Sequence, residues 1–235
     1  MKNLLFLLSI TALTVAYSQV LKFENQYFEK AILRKYPKLD FNKNGKIDKK
    51  EAESLRELGL MSQNLTNVND IRFFKNLEYL SLTNNKIEKI KIENFPNLTK
   101  FYCARNNLKT FQISNIPKLQ ELACGRNQIT EVMIKNCPNI ESLDLMDNQI
   151  SNLDLRKFLK LKYLVADNNR LKELDLSNNP ELIQITINNN DITRLDLRRN
   201  INLNMKILYI DDKVQIIGNK NKMNSYRRPP TVIAK

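Results

Sequence analysis

From residue 77 onward, apolar and polar positions recur with a period of 21 residues. Leu77, Leu98, Leu119, Ile140, Leu161, Leu182 and Leu203 open successive units without slippage. Three residues on come Leu80, Phe101, Leu122, Leu143, Leu164 and Ile185, and two further on Leu82, Cys103, Cys124, Leu145, Ala166 and Ile187. Two apolar positions flanking a variable one are the alternation of a short strand, with the flanking pair turned inward. One such unit cannot enclose a core, so each must bury its apolar ridge against its neighbours. A second alternating pair follows in every unit, from Ile90/Ile92 to Leu195/Leu197, and predicts extended segments on the opposite side. The period leaves no room for a long helix. Pro96, Pro117, Pro138 and Pro180 mark the return loops, and a 22-residue coil through Leu58, Leu60, Leu65 and Val68 precedes the regular series. The pattern predicts an α/β repeat solenoid over residues 55–204. It is a right-handed curved coil whose first strands, about eight of them, stack into a parallel sheet on the concave side.

Between the two apolar strips of each unit stands an unbroken polar column: Asn85, Asn106, Asn127, Asn148, Asn169 and Asn190. The chain turns inward there and leaves backbone groups away from water. An Asn amide brings two donors and an acceptor, so a column of them can bond the backbone of adjacent coils. Asn is abundant throughout, 33 of 235 residues, against only four Gly. Its tolerance of left-handed backbone predicts that Asn also supplies the repeated turns.

These segments, LxxLxLxxNxI, resemble leucine-rich repeats. They are similar to the short bacterial repeats of internalin-like proteins and of exported Bacteroidetes proteins. The nearest pattern is the cysteine-ladder type, LxxLxCxxNxL followed by LxLSxNP, with the ladder kept here at Cys103 and Cys124. On that alignment the two Cys stack on adjacent strands. Parallel side chains in register strain a disulfide, so a buried thiol pair is expected. Cys137 shares a loop column with Phe95, Ile116 and Phe158 and reads as a small hydrophobe.

Ahead of the repeats the chain divides in two. Lys2 followed by the apolar run Leu4–Ala16 has the form of a secretory signal over residues 1–18, with cleavage expected before Gln19. The run is too short for a comfortable membrane span, and no second long apolar stretch follows. The mature chain is thus expected outside the cytoplasm, in the periplasm or at the cell surface, with no transmembrane segment. Residues 19–54 read as a helical cap: Phe28, Ile32, Leu33 and Tyr36 have helical spacing and predict a helix over 23–36. Residues 40–51 then match D-x-[DN]-x-[DN]-G-x5-E at every position. Weak Ca2+ binding is expected, with oxygen ligands from Asp40, Asn42, Asn44, the Lys46 carbonyl, Asp48 and Glu51. Lys43, Lys46, Lys49 and Lys50 surround these ligands and oppose a tight site. Exported Bacteroidetes repeat proteins carry a similar segment just before their coils, and that resemblance implies a cap over the first coil's open apolar end.

Composition narrows the function. The chain has no His and a formal charge of +13. Without imidazole there is no Ser-His or Cys-His nucleophile, no His base and no His metal site. Asp144, Asp147 and Asp167 lie on an open sheet face without a cleft, so an enzyme is not expected. The outward residues of the strands are expected to line a concave binding face. Candidate contacts are Tyr79, Lys100, Tyr102, Arg105, Glu121, Arg126, Asp144, Asp147, Tyr163 and Asp167. Along that face Lys100, Arg105 and Arg126 come early and the three Asp late, which predicts a basic half followed by an acidic half. The expected function is a monomeric, secreted, non-enzymatic module that binds a protein ligand there. The alternative is an envelope protein held on anionic polymer or lipid by its basic surface. No nucleic-acid partner is expected. Residues 205–235 are read as one last strand, Met205–Ile210, and a basic tail.

Overall fold

The computed structural model describes residues 18–218. The apolar run expected to be a secretory signal and the tail from residue 219 lie outside them. Each concave strand is three residues long and centred on the first residue of its coil's inward-turned pair. The concave strands are β1 (Glu57–Gly59), β2 (Tyr79–Ser81), β4 (Lys100–Tyr102), β6 (Glu121–Ala123), β8 (Ser142–Asp144), β9 (Tyr163–Val165) and β10 (Gln184–Thr186). They form one seven-stranded parallel sheet in that order. Its central register runs Leu58, Leu80, Phe101, Leu122, Leu143, Leu164, Ile185, one residue per coil. The next coil adds a single parallel bridge, Thr186 with Tyr209.

On the opposite side β3 (Lys91–Glu93), β5 (Thr110–Ser114) and β7 (Glu131–Lys135) form a second parallel sheet, and β11 (Arg194–Asp196) pairs with β12 (Gln215–Ile217). In the two intervening coils no strand forms. There Asp154 accepts the amide of Arg156 at 3.0 Å and Asp175 that of Ser177 at 2.9 Å, and Asp196 makes the same turn with Arg198 at 3.0 Å just after β11. The core is one continuous column between the two sides, in which Leu77, Leu80, Leu82, Ile87 and Ile92 of a single coil are fully buried.

Two boundaries differ from the sequence expectation. The first helix, α1, spans Gln26–Lys35 rather than 23–36. Asn25 caps it, its side-chain oxygen accepting from Tyr27 and Phe28 amides at 3.0 and 3.2 Å. Phe23 lies before the helix and packs against Phe28, Phe73 and Phe74. At the other end, Met205–Ile207 is a 3-10 turn, not the start of a strand. Asn204 caps that turn by accepting the Lys206 amide at 3.0 Å. Leu208 and Ile210 still point inward as expected.

The Asn column behaves as predicted. In Asn148 the side-chain amide donates to the carbonyls of Cys124 at 3.1 Å and Leu145 at 3.0 Å, while its oxygen accepts the Ile129 amide at 3.0 Å. The same three-way pattern repeats from Asn85 to Asn190. A second buried ladder was not foreseen. The loop column Phe95, Ile116, Cys137, Phe158 continues as Asn179 and Asn200, whose amides donate to Phe158 and Asn179 carbonyls of the preceding coil at 2.8 and 2.9 Å.

Candidate functional site

The turn that leaves each concave strand is left-handed. Its φ is 57° at Asn84, 56° at Arg105, 57° at Arg126, 53° at Asp147, and 55° at Asn168 and Asn189. A second left-handed series, Asn94, Asn115 and Asn136, lies on the convex side. Asn therefore does supply turns, but from residues next to the buried column and not from the column itself. Arg105 and Arg126 are exceptions: long side chains in a backbone well that costs most residues about 1–2 kcal/mol. Both are exposed at the rim of the sheet.

The parallel register brings the candidate contacts onto one face. The Tyr79 and Tyr102 rings meet edge to face with centroids 5.7 Å apart. Tyr102 donates its hydroxyl to Glu121, and Lys100 pairs with the same carboxylate at 2.7 Å. The hydrogen bond from Lys100, followed by that from Tyr102, holds the Glu121 carboxyl below its usual range. Burial, followed by the Glu121 hydrogen bond, pushes the Tyr102 phenol up. Arg126 pairs with Asp147 at 3.2 Å, and Asn168 donates to the other Asp147 oxygen at 2.5 Å. Asp167 accepts from the Thr186 hydroxyl at 2.5 Å and the Asn188 amide at 2.9 Å. Asp144 accepts the Met146 amide at 3.0 Å. Burial first, then repulsion from Asp147 and Asp167, raises its carboxyl pKa. Tyr163 is 42% exposed. Cross-coil pairing tempers the expected division into a basic and an acidic half without removing it. Among the described residues Lys100 pairs with Glu121 and Arg126 with Asp147, while Arg105 beside β4 and Asp144 and Asp167 farther along have no ion pair, Arg126 acting on Asp144 only at longer range.

The cap places the metal-loop residues together. Asp40 accepts the amides of Asn44 and Gly45 at 3.0 and 2.9 Å, and Asn42 also accepts that of Asn44. Asn44 accepts the Lys46 amide at 2.7 Å. Asp48 caps α2 (Lys49–Ser54), and Glu51 reaches back to the amides of Asp48 and Phe41, each at 2.8 Å. Each of these oxygens keeps a second lone pair, so the donor set fits a hard cation. Among the described residues, however, no three His, Cys, Asp or Glu side chains converge as a metal-holding group. An ion here would draw on the Asn42 and Asn44 amides and the Lys46 carbonyl. Two features were invisible in sequence. Residues 19–21 pair antiparallel with the loop through Leu21 amide to Ile47 carbonyl and Lys49 amide to Gln19 carbonyl, both 3.0 Å. The buried Glu29 of α1 accepts the Ile47 amide at 3.1 Å and pairs with Lys46 at 3.6 Å.

Cys103 and Cys124 are buried thiols with sulfurs 3.0 Å apart, and Cys137 is also a buried thiol. Burial pushes the Cys124 thiol up, away from reactivity.

Repeat, register and Asn ladder define a leucine-rich-repeat solenoid. The comparisons agree. The Leucine Rich Repeat family model matches residues 76–98. The functional domain of InlJ from Listeria monocytogenes, whose description names a cysteine ladder, is 25% identical with a TM-score of 0.53, over 73% of this chain and 42% of that one. Internalin C2 of the same organism is 20% identical with a TM-score of 0.51, over 81% and 93%. The LRIM1/APL1C complex gives 20% and 0.52, over 72% and 37%. The chain therefore spans less than half of the InlJ domain it resembles. No curated protein matches. The fold is the leucine-rich-repeat solenoid, and it is similar to that of the Listeria internalins.

Proposed function

We propose that this chain is an exported, non-enzymatic binding module that engages a protein partner on its concave face. The carrying observation is the pair of left-handed arginines. Ser, Asn or Asp fills five of the seven equivalent turn positions, Ser62 among them, and Arg105 and Arg126 occupy the other two at a local conformational cost. Both project at the rim beside the Tyr79–Tyr102 pair, and Arg and Tyr are the residues that dominate interfaces. Exchange for the residue the backbone prefers separates the roles. Arg105→Asn with Arg126→Asn should keep or raise the melting temperature and abolish capture of a partner from outer-surface or host-protein fractions. Lys86→Glu with Lys89→Glu should leave capture intact. If the arginine exchange has no effect and association instead disappears by roughly 0.3 M salt, where exposed charges are screened, the basic-surface alternative replaces this function.

A second role, weak Ca2+ binding by residues 40–51, is favoured by the hydrogen-bonded loop. Its oxygens are already drawn together by backbone amides, and Lys46, the basic residue at the carbonyl-donating position, is paired with Glu29.

A further inference from the structure

Charge bookkeeping on the concave face singles out one side chain. Lys100 and Arg126 are matched by Glu121 and Asp147, and Asp167 is committed to Thr186 and Asn188. Asp144 is half-buried, accepts one hydrogen bond from the Met146 amide, and has no ion pair among the described residues. The only cation that acts on it among the described residues, Arg126, is already paired with Asp147, and Asp147 and Asp167 repel it, so the half-buried carboxylate is unfavourable in the free protein. One side of it is already filled: a Cβ on Gly125 would stand 3.1 Å from an Asp144 oxygen and 2.9 Å from the Met146 side chain. Ala123, its partner in register on β6, adds no bulk. On the other flank Asp144 pairs with Val165 and Ser142 with Tyr163. The exposed Tyr163 ring therefore projects from the same face, one strand across and two residues back, about 8 Å away.

We infer that the concave face accepts an extended, cationic segment of a partner protein, seated with an Arg or Lys side chain between Asp144 and Tyr163. The inference rests on the concave face being the binding surface and adds the chemistry of the occupant. The carboxylate supplies the counter-ion, and the aromatic face supplies a cation–π contact. The rest of the molecule argues for this specificity by contrast. With a formal charge of +13, the chain repels cationic segments almost everywhere. Attraction of such a segment needs a local exception, and this end of the sheet provides it. Arg105, two strands away after β4 and without an ion pair among the described residues, orients the segment by binding its acidic or carboxyl-terminal part.

The test uses the mature full chain, isotope-labelled, and two acetylated 12-residue probes of Gly, Ser and Tyr, one carrying three Arg and the other three Glu. The Arg probe should shift amide resonances of residues 142–146 and 163–165, and Asp144→Asn should weaken it about tenfold. The convex variant Asp175→Asn should bind as wild type. Asp144→Asn keeps an oxygen for the Met146 amide, and an unchanged spectrum elsewhere verifies its fold. Shifts confined to the concave face but indifferent to Asp144→Asn overturn the inference and leave the concave surface standing. Shifts confined to convex residues overturn both. Preference for the Glu probe, or binding of neither, overturns the inference. So does displacement of the Arg probe by 5 mM CaCl2 with the same resonances moving, which would make this end a cation site.

Discussion

A left-handed backbone at the end of every concave strand sets a rule that single residues keep or break. Asn84, Asn168 and Asn189 keep it, because a short amide relieves the clash that longer side chains suffer. Arg105 breaks it without an ion pair among the described residues, so Arg105→Asn should raise stability by about 1 kcal/mol in urea unfolding. Arg126→Asn also relieves the turn but loses the half-exposed Asp147 pair, worth about 0–1 kcal/mol, and should change stability little. The buried column responds in the opposite direction. Asn148→Ala would orphan the buried Ile129 amide and take one of two side-chain donors from the Cys124 and Leu145 carbonyls, which keep Asn127 and Asn169, and should cost about 1–3 kcal/mol. Asp144 adds a pH signature. Its carboxyl is raised above the ordinary 3.8, so between 3.8 and the folded value the native state holds more protons than the unfolded chain. Stability therefore falls as pH rises through that window, and the penalty persists at neutral pH. Asp144→Asn should raise the melting temperature at pH 7 and leave it unchanged below pH 3. An equal gain at both pH values would assign the effect to packing instead of charge.

At the scale of elements, the cap shows why a motif match alone does not define a loop's energetics. Glu51 anchors Phe41 and Asp48 amides and completes the α2 cap, so Glu51→Ala would loosen the cap whether or not an ion binds. Asp40→Asn is the better probe, since one side-chain oxygen still accepts an amide while a ligand charge is lost. With a dissociation constant of about 10⁻⁴–10⁻³ M, 10 mM Ca2+ should stabilise the wild type by roughly 1.4–2.7 kcal/mol over EDTA, and Asp40→Asn should lose most of that difference. Equal melting in EDTA and Ca2+ would leave the loop a cap alone. The strands were legible because period 2 within period 21 has one solution, and residues such as Leu80 and Phe101 landed in register. The joints were not. The antiparallel pairing of 19–21 with the loop, the Asn25 amide bonded to Asp70 at 2.9 Å, and the Glu29–Ile47 contact join residues 18–45 positions apart with no repeat to flag them. The charge pattern misled for a related reason. Lys100 and Glu121 look like separate signs in sequence, and only a 21-residue offset makes them neighbours.

For the whole molecule the same offset means that each coil is held chiefly by the coils before and after it, so stability is close to a sum of neighbour terms. The two ends are closed differently. The N-terminal coil is covered by the cap, with Phe28 and Ile32 fully buried and the Gly59 amide of the edge strand donating to the Tyr36 hydroxyl at 2.8 Å. The C-terminal side has one bridge at Tyr209 and the short pair β11–β12. Opening should therefore start at the C-terminal coils. Native-state hydrogen exchange should find the highest protection in β4, β6 and β8 and intermediate protection in β1. The lowest should fall in β10, β11 and β12. Asn25→Ala removes the α1 cap bonds and, at about 1 kcal/mol, should lower protection in β1 and β2 while leaving β10 unchanged. If instead every strand loses protection by the same amount, the solenoid opens as a single cooperative unit, and nearest-neighbour stacking does not govern its stability.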